Sequence, residues 1–232
     1  MNYSLRALVA FATLGVCSFA SANSGTLLPL DQYQAGTEAT NNTIVQNGGF
    51  EAVTSGNPDG WTGSGAVQVG APTGPNVSAV NGSSAAQIGA TPTGGLNKYV
   101  QTVTLQPGAD YVLSGYLWNF TGLNFDLAVA EVVNGGGQSR TISLSPSDGG
   151  IDGSRGVFGY TSFNTAVLGT NLAVEVEFDL DENVAGTRPS LAAQLDNISI
   201  TPEADFRAPA VLPEPASLAI VGMGAALLRR RR

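Results

Sequence analysis

"LAVEVEFDLD", residues 172–181, alternates without a break: Leu172, Val174, Val176, Phe178 and Leu180 on one parity, Ala173, Glu175, Glu177, Asp179 and Asp181 on the other. Successive side chains of a strand point to opposite faces, so this spacing makes one buried and one wet face. A helix, turning about 100° per residue, would spread the same acids around its circumference. The stretch predicts a strand half embedded in a core, and what packs on it must supply the other half.

Working outward, "YVQTVTLQPGADYVLSGYLW", residues 99–118, reads as two strands joined at "QPGA", where Pro107 and Gly108 supply a tight turn. Residues 61–69, 78–88, 125–133, 140–145, 157–163 and 191–201 are further strand candidates. Nine or so short strands separated by glycine-rich loops predict an all-β, antiparallel β-sandwich. Composition agrees: 43% of the 232 residues are hydrophobic, enough for a core, while only 12% are charged and 30 are glycine.

Charge is unevenly placed. Five of the ten basic residues lie at the ends, Arg6 and Arg229 to Arg232, whereas all 18 acids lie between Asp31 and Glu214. The body is strongly acidic and would repel nucleic acid, whose binding needs cationic contacts to phosphate. Neutral partners, cations and basic surfaces are compatible with it.

Residues 1–22, "MNYSLRALVAFATLGVCSFASA", have Arg6 in a short polar head, an apolar stretch, and Ala20 and Ala22 in A-x-A register. This predicts a signal helix that engages the Sec translocon and is cut after Ala22. "LGVC" leaves a lipoprotein signal at Cys17 as the alternative, with Val16 where a small residue is usual. The chain has no histidine and its single cysteine, Cys17, lies inside the signal. An exported product therefore lacks the residues for disulfides, imidazole or thiolate zinc sites, Ser-His-Asp triads and Cys-His nucleophiles. Carboxylates, hydroxyls, amides and aromatics are left to carry function.

At the other end, "VLPEPASLAIVGMGAALLRRRR", residues 211–232, places an apolar run from Ala216 to Leu228 between a Pro-Glu-Pro triplet and four arginines. As a helix the run reaches about 20 Å, short of the roughly 30 Å of bilayer hydrocarbon. The arginines would stay cytoplasmic and hold the preceding chain outside, on the side to which the signal delivers it. Pro213, Glu214 and Pro215, the apolar run and Arg229, Arg230, Arg231 and Arg232 resemble the PEP-CTERM sorting signal of Gram-negative bacteria that make exopolysaccharide. The resemblance implies a short transmembrane helix that anchors a precursor transiently in the inner membrane. It implies cleavage near the triplet by an exosortase, a membrane cysteine protease, and a product at the cell surface or in the extracellular matrix. The domain reading is then a signal peptide (1–22), an N-terminal arm or leader strand (23–42), a sandwich domain (43–201), a proline-bearing linker (202–212) and the sorting signal (213–232).

Within the body, "NGGFE" (47–51), Gly60-Trp61, "QTVTLQPGADYVLSGY" (101–116) and "LDNISI" (195–200) resemble, in that order, the jelly-roll, galactose-binding-like carbohydrate-binding modules. That resemblance implies a structural calcium joining the first strand to the last. Glu51 and Asp196 stand at the matching positions, with backbone carbonyls such as Gly49 and the loop at 95–98 completing the six to eight oxygens that calcium takes. The alternative is that Glu51 and Asp196 are hydrogen-bonded strand-end residues. "DLDEN", 179–183, is acidic, but Gly186 and Ser190 break the spacing of an EF-hand loop, which reads as a solvated strand end.

The resemblance also implies polysaccharide as partner, and sugar binding needs an aromatic platform under a pyranose ring with amides or acids beside it. On "DYVLSGYLWNF", 110–120, one face carries Tyr111, Leu113 and Leu117, the other Val112, Ser114, Tyr116, Trp118 and Phe120. Both faces are apolar, so one is core. Tyr116 and Trp118 on the second either line an open ligand-binding surface or lie beneath a loop or a second sheet. Trp61 is expected in the core. No pair of acids stands beside these aromatics at a strand end, as glycoside hydrolysis would require, so the expectation is a protein that is not an enzyme. It either binds polysaccharide or serves as a non-binding scaffold of the matrix or surface.

Overall fold

The computed structural model describes residues 25–64, 67–72, 79–80, 82–88, 98–119, 125–133, 137–144, 156–168, 173–180 and 193–212. The signal segment with Ala20 and Ala22, the sorting signal with Pro213 to Pro215 and Arg229 to Arg232, residues 95–97 and residues 181–183 lie outside them.

The described chain forms β1 (Thr26–Pro29), β2 (Tyr33–Gln34), β3 (Ala39–Thr40), β4 (Val53–Thr54), β5 (Asn57–Pro58), β6 (Thr62–Ser64), β7 (Val67–Gly70), β8 (Ala85–Ile88), β9 (Lys98–Thr104), β10 (Asp110–Asn119), β11 (Phe125–Val133), β12 (Gly137–Leu144), β13 (Val157–Asn164), β14 (Ala173–Leu180), β15 (Ala193–Pro202), β16 (Phe206–Arg207) and β17 (Ala210–Val211). One four-residue helix, α1 (Thr165–Leu168), follows β13. No helix among the described residues is long and apolar enough to cross a membrane.

Two sheets carry the fold. One has six strands in the order β1-β13-β10-β15-β8-β7, the other five in the order β12-β11-β14-β9-β6. The strand pairs in both are antiparallel. The stretch that opened the sequence reading is β14, central in the five-stranded sheet, where Val174 and Val176 are buried as the alternation requires. They meet Tyr99 and Val103 of β9, Leu127 and Val129 of β11, and Leu113, Leu117, Leu195, Ile198 and Ile200 of the facing sheet in one continuous core. Fully burying such a side chain contributes about 1.5–3 kcal/mol, so this interior is the main source of stability. The turn expected at "QPGA" joins β9 to β10, with Gly108 at φ +67°, a conformation that side chains with a Cβ avoid.

Two boundaries differ from expectation. The described part of the expected arm, residues 25–42, belongs to the fold: β1 extends the six-stranded sheet along β13, with Leu27 facing the core and Leu28 the outer face. The segment expected to be a linker, 202–212, is paired as well. β16 lies against β3 and β17 against β2, and the Leu212 N–H donates to the Gln32 carbonyl at 2.8 Å. The prolines interrupt these strands without detaching them, because each pairing needs only two residues. The folded unit thus includes both segments, with residues 33–40 paired to residues 206–211.

Candidate functional site

The predicted ligand platform lies on β10. Its two faces separate as the alternation requires: Tyr111, Leu113 and Leu117 enter the core, while Val112, Tyr116 and Trp118 turn to the outer face of the six-stranded sheet. That outer face is closed. Tyr116 is 0% and Trp118 3% exposed, in a second apolar cluster with Phe158 and Phe206, flanked by Leu28, Leu30, Val80 and Tyr160. Tyr116 and Trp118 stack at 6.3 Å, and Phe206 of β16 packs 5.2 Å from Tyr160 and 6.4 Å from Phe158. Of the two placements the sequence leaves open for Tyr116 and Trp118, the covered one is found. Leu28 and Leu30 of the arm and Phe206 of the supposed linker, two segments the sequence reading left outside the domain, cover them together with Val80.

Covering a tyrosine hydroxyl requires partners, and the arm brings them. Tyr116 Oη donates to Glu38 Oε2 and accepts the Gly36 N–H at 2.8 Å, while Asn197 Nδ2 donates to Glu38 Oε1 at 2.6 Å. Burial and the hydrogen bond to Glu38 push the Tyr116 phenol well above its ordinary value, so the ring stays neutral. On its other side Trp118 lies against Gly156, where a Cβ would come within 2.1 Å of the indole nitrogen. Only glycine fits there.

A β-bulge positions the polar half of this cluster. The partners Ser114↔Ser199 and Tyr116↔Asp196 enclose one extra residue on β15, and Asn197 in that interval has φ +49°. Ala193 and Leu195 face the core, as do Ile198 and Ile200, so the facing parity changes across the bulge. Asp196 lies across from Tyr116 and Asn197 reaches Glu38. Gly115, opposite the bulge, leaves room for Ile198, whose Cδ1 would sit 2.3 Å from any Cβ at that position.

The two carboxylates implied as calcium ligands hold one segment of backbone. Asp196, fully buried, accepts the Val80 N–H at 2.6 Å and the Asn197 N–H at 2.7 Å. Glu51 accepts the Ser83 N–H at 2.9 Å and the Ser84 N–H at 2.7 Å. Gly49 lies beside Asp196, its ideal Cβ position 3.9 Å from Oδ1. Among the described residues no three Asp, Glu, His or Cys side chains converge as metal ligands, and N–H donors compete with a cation for the lone pairs of these two. The described donors form a hydrogen-bonded clamp on the backbone of Val80, Ser83 and Ser84.

Trp61 is in the core as expected. It lies 5.3 Å from Phe50, with its indole N–H shared between the Gln46 and Asn47 carbonyls.

A groove of about 290 Å³ opens over the second half of β9, lined by Ile44, Gln46, Gly60, Gln101, Thr102, Val103 and Thr104. It exists because β6 pairs only with Lys98 to Val100 and leaves the rest of that strand edge free of it. Gln101, buried, ties the groove's wall together: its Oε1 accepts the Gln46 N–H at 2.8 Å, and its Nε2 donates to the Gln46 and Gly60 carbonyls. Thr102 and Thr104 are exposed on the rim. The lining is mostly hydroxyl and amide.

Sequence reasoning missed Glu38, Asn197 and this groove. Glu38 sits in an arm with no period to read. The bulge did leave a signal, since the core parity passes from Leu195 to Ile198 over three residues instead of two.

No family model matches the chain, and no curated protein matches it. Solved structures resemble it. One is the enzymatically active domain of bacteriophage CBA120 tailspike protein 4, with TM-score 0.48 and 14% identity over 69% of this chain; the match spans about a fifth of that protein, 21%. TmCBM61 in complex with beta-1,4-galactotriose has TM-score 0.47 and 18% identity over 70% of this chain and 99% of that one. The CBM22-1 xylan-binding domain from Paenibacillus barcinonensis Xyn10C has TM-score 0.44 and 14% identity over 74% of this chain and 96% of that one.

Proposed function

We propose that the chain is an exported, non-catalytic protein of the bacterial cell surface or exopolysaccharide matrix, whose sandwich holds polysaccharide through hydroxyl and amide contacts rather than through a stacked aromatic platform. The observation that carries this is the polar groove over β9, set against the closed cluster of Tyr116 and Trp118. The exposed Thr102 and Thr104 hydroxyls, each both donor and acceptor, suit the hydroxyls of a sugar. The triplet Pro213 to Pro215, the apolar run and the four arginines support a removable tail that sorts the protein, with exosortase as its processing partner after passage through the Sec translocon.

The test is retention on a glycan panel that includes xylan and β-1,4-galactan. The mature domain should be retarded by at least one polysaccharide in affinity electrophoresis, and Thr102→Val with Thr104→Val should remove the retardation without lowering Tm. Retardation that survives the double substitution places binding elsewhere. A second reading is favoured by the burial of Tyr116 and Trp118: a scaffold that makes no glycan contact. It predicts no retardation on any glycan and glycan-independent incorporation into the matrix. Sorting is tested separately, by deleting residues 213–215 and following the protein between membrane and medium; unchanged partition removes the tail reading.

A further inference from the structure

The two ends of the folded unit are held to each other unequally. β16 is anchored deeply: Phe206 is buried against Phe158 and Tyr160, and Pro209 is buried after it. β17 is shallow. Its two residues pair with Gln34 and Tyr33, and Ala210, Val211 and Leu212 are exposed, Val211 to 68%. Its amides are held by Thr37 Oγ1, which accepts the Ala210 N–H at 2.8 Å, and by the Gln32 carbonyl, which accepts the Leu212 N–H at 2.8 Å. Exposed hydrogen bonds each contribute little net free energy, so this ribbon opens at a small fraction of the global unfolding cost.

Beyond Leu212 only Pro213, Glu214 and Pro215 precede the apolar run that starts at Ala216. Three extended residues reach about 10 Å. While β17 is paired, the backbone on the amino side of the triplet is committed to β2, and three residues can span no more than that distance from Leu212. Proteases take substrate as an extended strand whose backbone groups are available on both sides of the scissile bond. Unpairing residues 210–212, with Pro209 and Phe206 still in place, frees that strand and adds about 10 Å of reach.

We propose that β17 is a releasable clasp: its unpairing from β2 exposes the segment before Pro213 to the tail-removing protease and sets how far the sandwich stands from the membrane. The proposal rests on the removable-tail reading above. Its test uses the full-length chain with Tyr33→Cys and Val211→Cys, which are register partners, in a host that removes the tail; the processed chain has no other cysteine. Cα atoms of paired antiparallel residues lie roughly 4.5–5.5 Å apart, within disulfide range. Oxidation should slow tail removal about tenfold or more relative to the reduced chain and to the single Tyr33→Cys variant, as expected when local opening limits access. Equal rates overturn the clasp.

A second readout does not depend on processing. Amide hydrogen exchange on the full chain in detergent should show Ala210 to Leu212 exchanging about a hundredfold faster than Ile198 to Ile200, the contrast expected of a local opening. Equal protection overturns the clasp as well. If the unmodified chain keeps its tail in every host that processes similar tails, the sorting reading fails, and exchange alone decides the clasp.

Discussion

Tyr116 is the residue on which the outer cluster turns. Its hydroxyl donates to Glu38 and accepts from Gly36, so Tyr116→Phe removes both contacts from a buried site and leaves an acceptor and a donor unmatched. The expected loss is about 1–3 kcal/mol of unfolding free energy by urea titration, with faster exchange at residues 33–40. Tyr99 adds a pH signature. Burial in the core pushes its phenol up to about 12, and the Tyr116 phenol is raised further. Tyrosine in the unfolded chain ionises near about 10, so the stability these groups confer is complete below that pH and is lost as pH rises towards their folded values. Denaturant titrations should show stability falling above about pH 10, by up to roughly 1.4 kcal/mol per pH unit for each tyrosine, and Tyr99→Phe should make the slope shallower. Asp196 carries a different test. Chelator should leave Tm unchanged if the N–H groups of Val80 and Asn197 are its sole partners; a rise in Tm with added calcium that Asp196→Asn abolishes would assign it to calcium.

The elements were legible where a period had room to repeat. β14, β11, β9 and β10 fall within a residue or two of their predicted ranges, because seven to ten alternating residues leave no other buried arrangement. β2, β3, β16 and β17 have two residues each, too short for any period, and their partners lie at the opposite end of the chain. That is why Tyr116 and Trp118 could be placed on a face but not beneath a cover: alternation separates the two sides of a strand and says nothing of what packs on the second. The β15 bulge has a backbone counterpart in Gly48. Its carbonyl accepts the Ile198 N–H, and a Cβ at Gly48 would lie 1.9 Å from the Ile198 carbonyl oxygen. Backbone cannot yield there as a flexible side chain would. Gly48→Ala should therefore cost more than about 3 kcal/mol or prevent folding, a penalty of the size expected when strain is forced on a packed element, read as Tm or soluble yield.

At the scale of the whole molecule, the aromatic cluster on the outer face of the six-stranded sheet is covered by Leu28, Leu30, Val80 and Phe206, and the second half of β9 keeps a polar groove. Removing residues 25–40 should uncover the aromatic cluster. The shortened protein is expected to bind a hydrophobic dye and to lose several degrees of Tm, consistent with an apolar patch of several aromatics turned to water. Full stability without the arm would show that the cover is dispensable. The cover also imposes an order in time. The arm is among the first parts of the domain to be made, yet β1 has no partner until β13 exists, more than a hundred residues later, and β2 and β3 have none until residues 206–211 arrive. Pairings so distant in sequence are slow to form, and a strand without its neighbour is prone to adhere elsewhere. For most of its emergence the polypeptide therefore carries an unsatisfied leading edge, and whatever escorts it must shield the beginning of the chain until the end has been delivered.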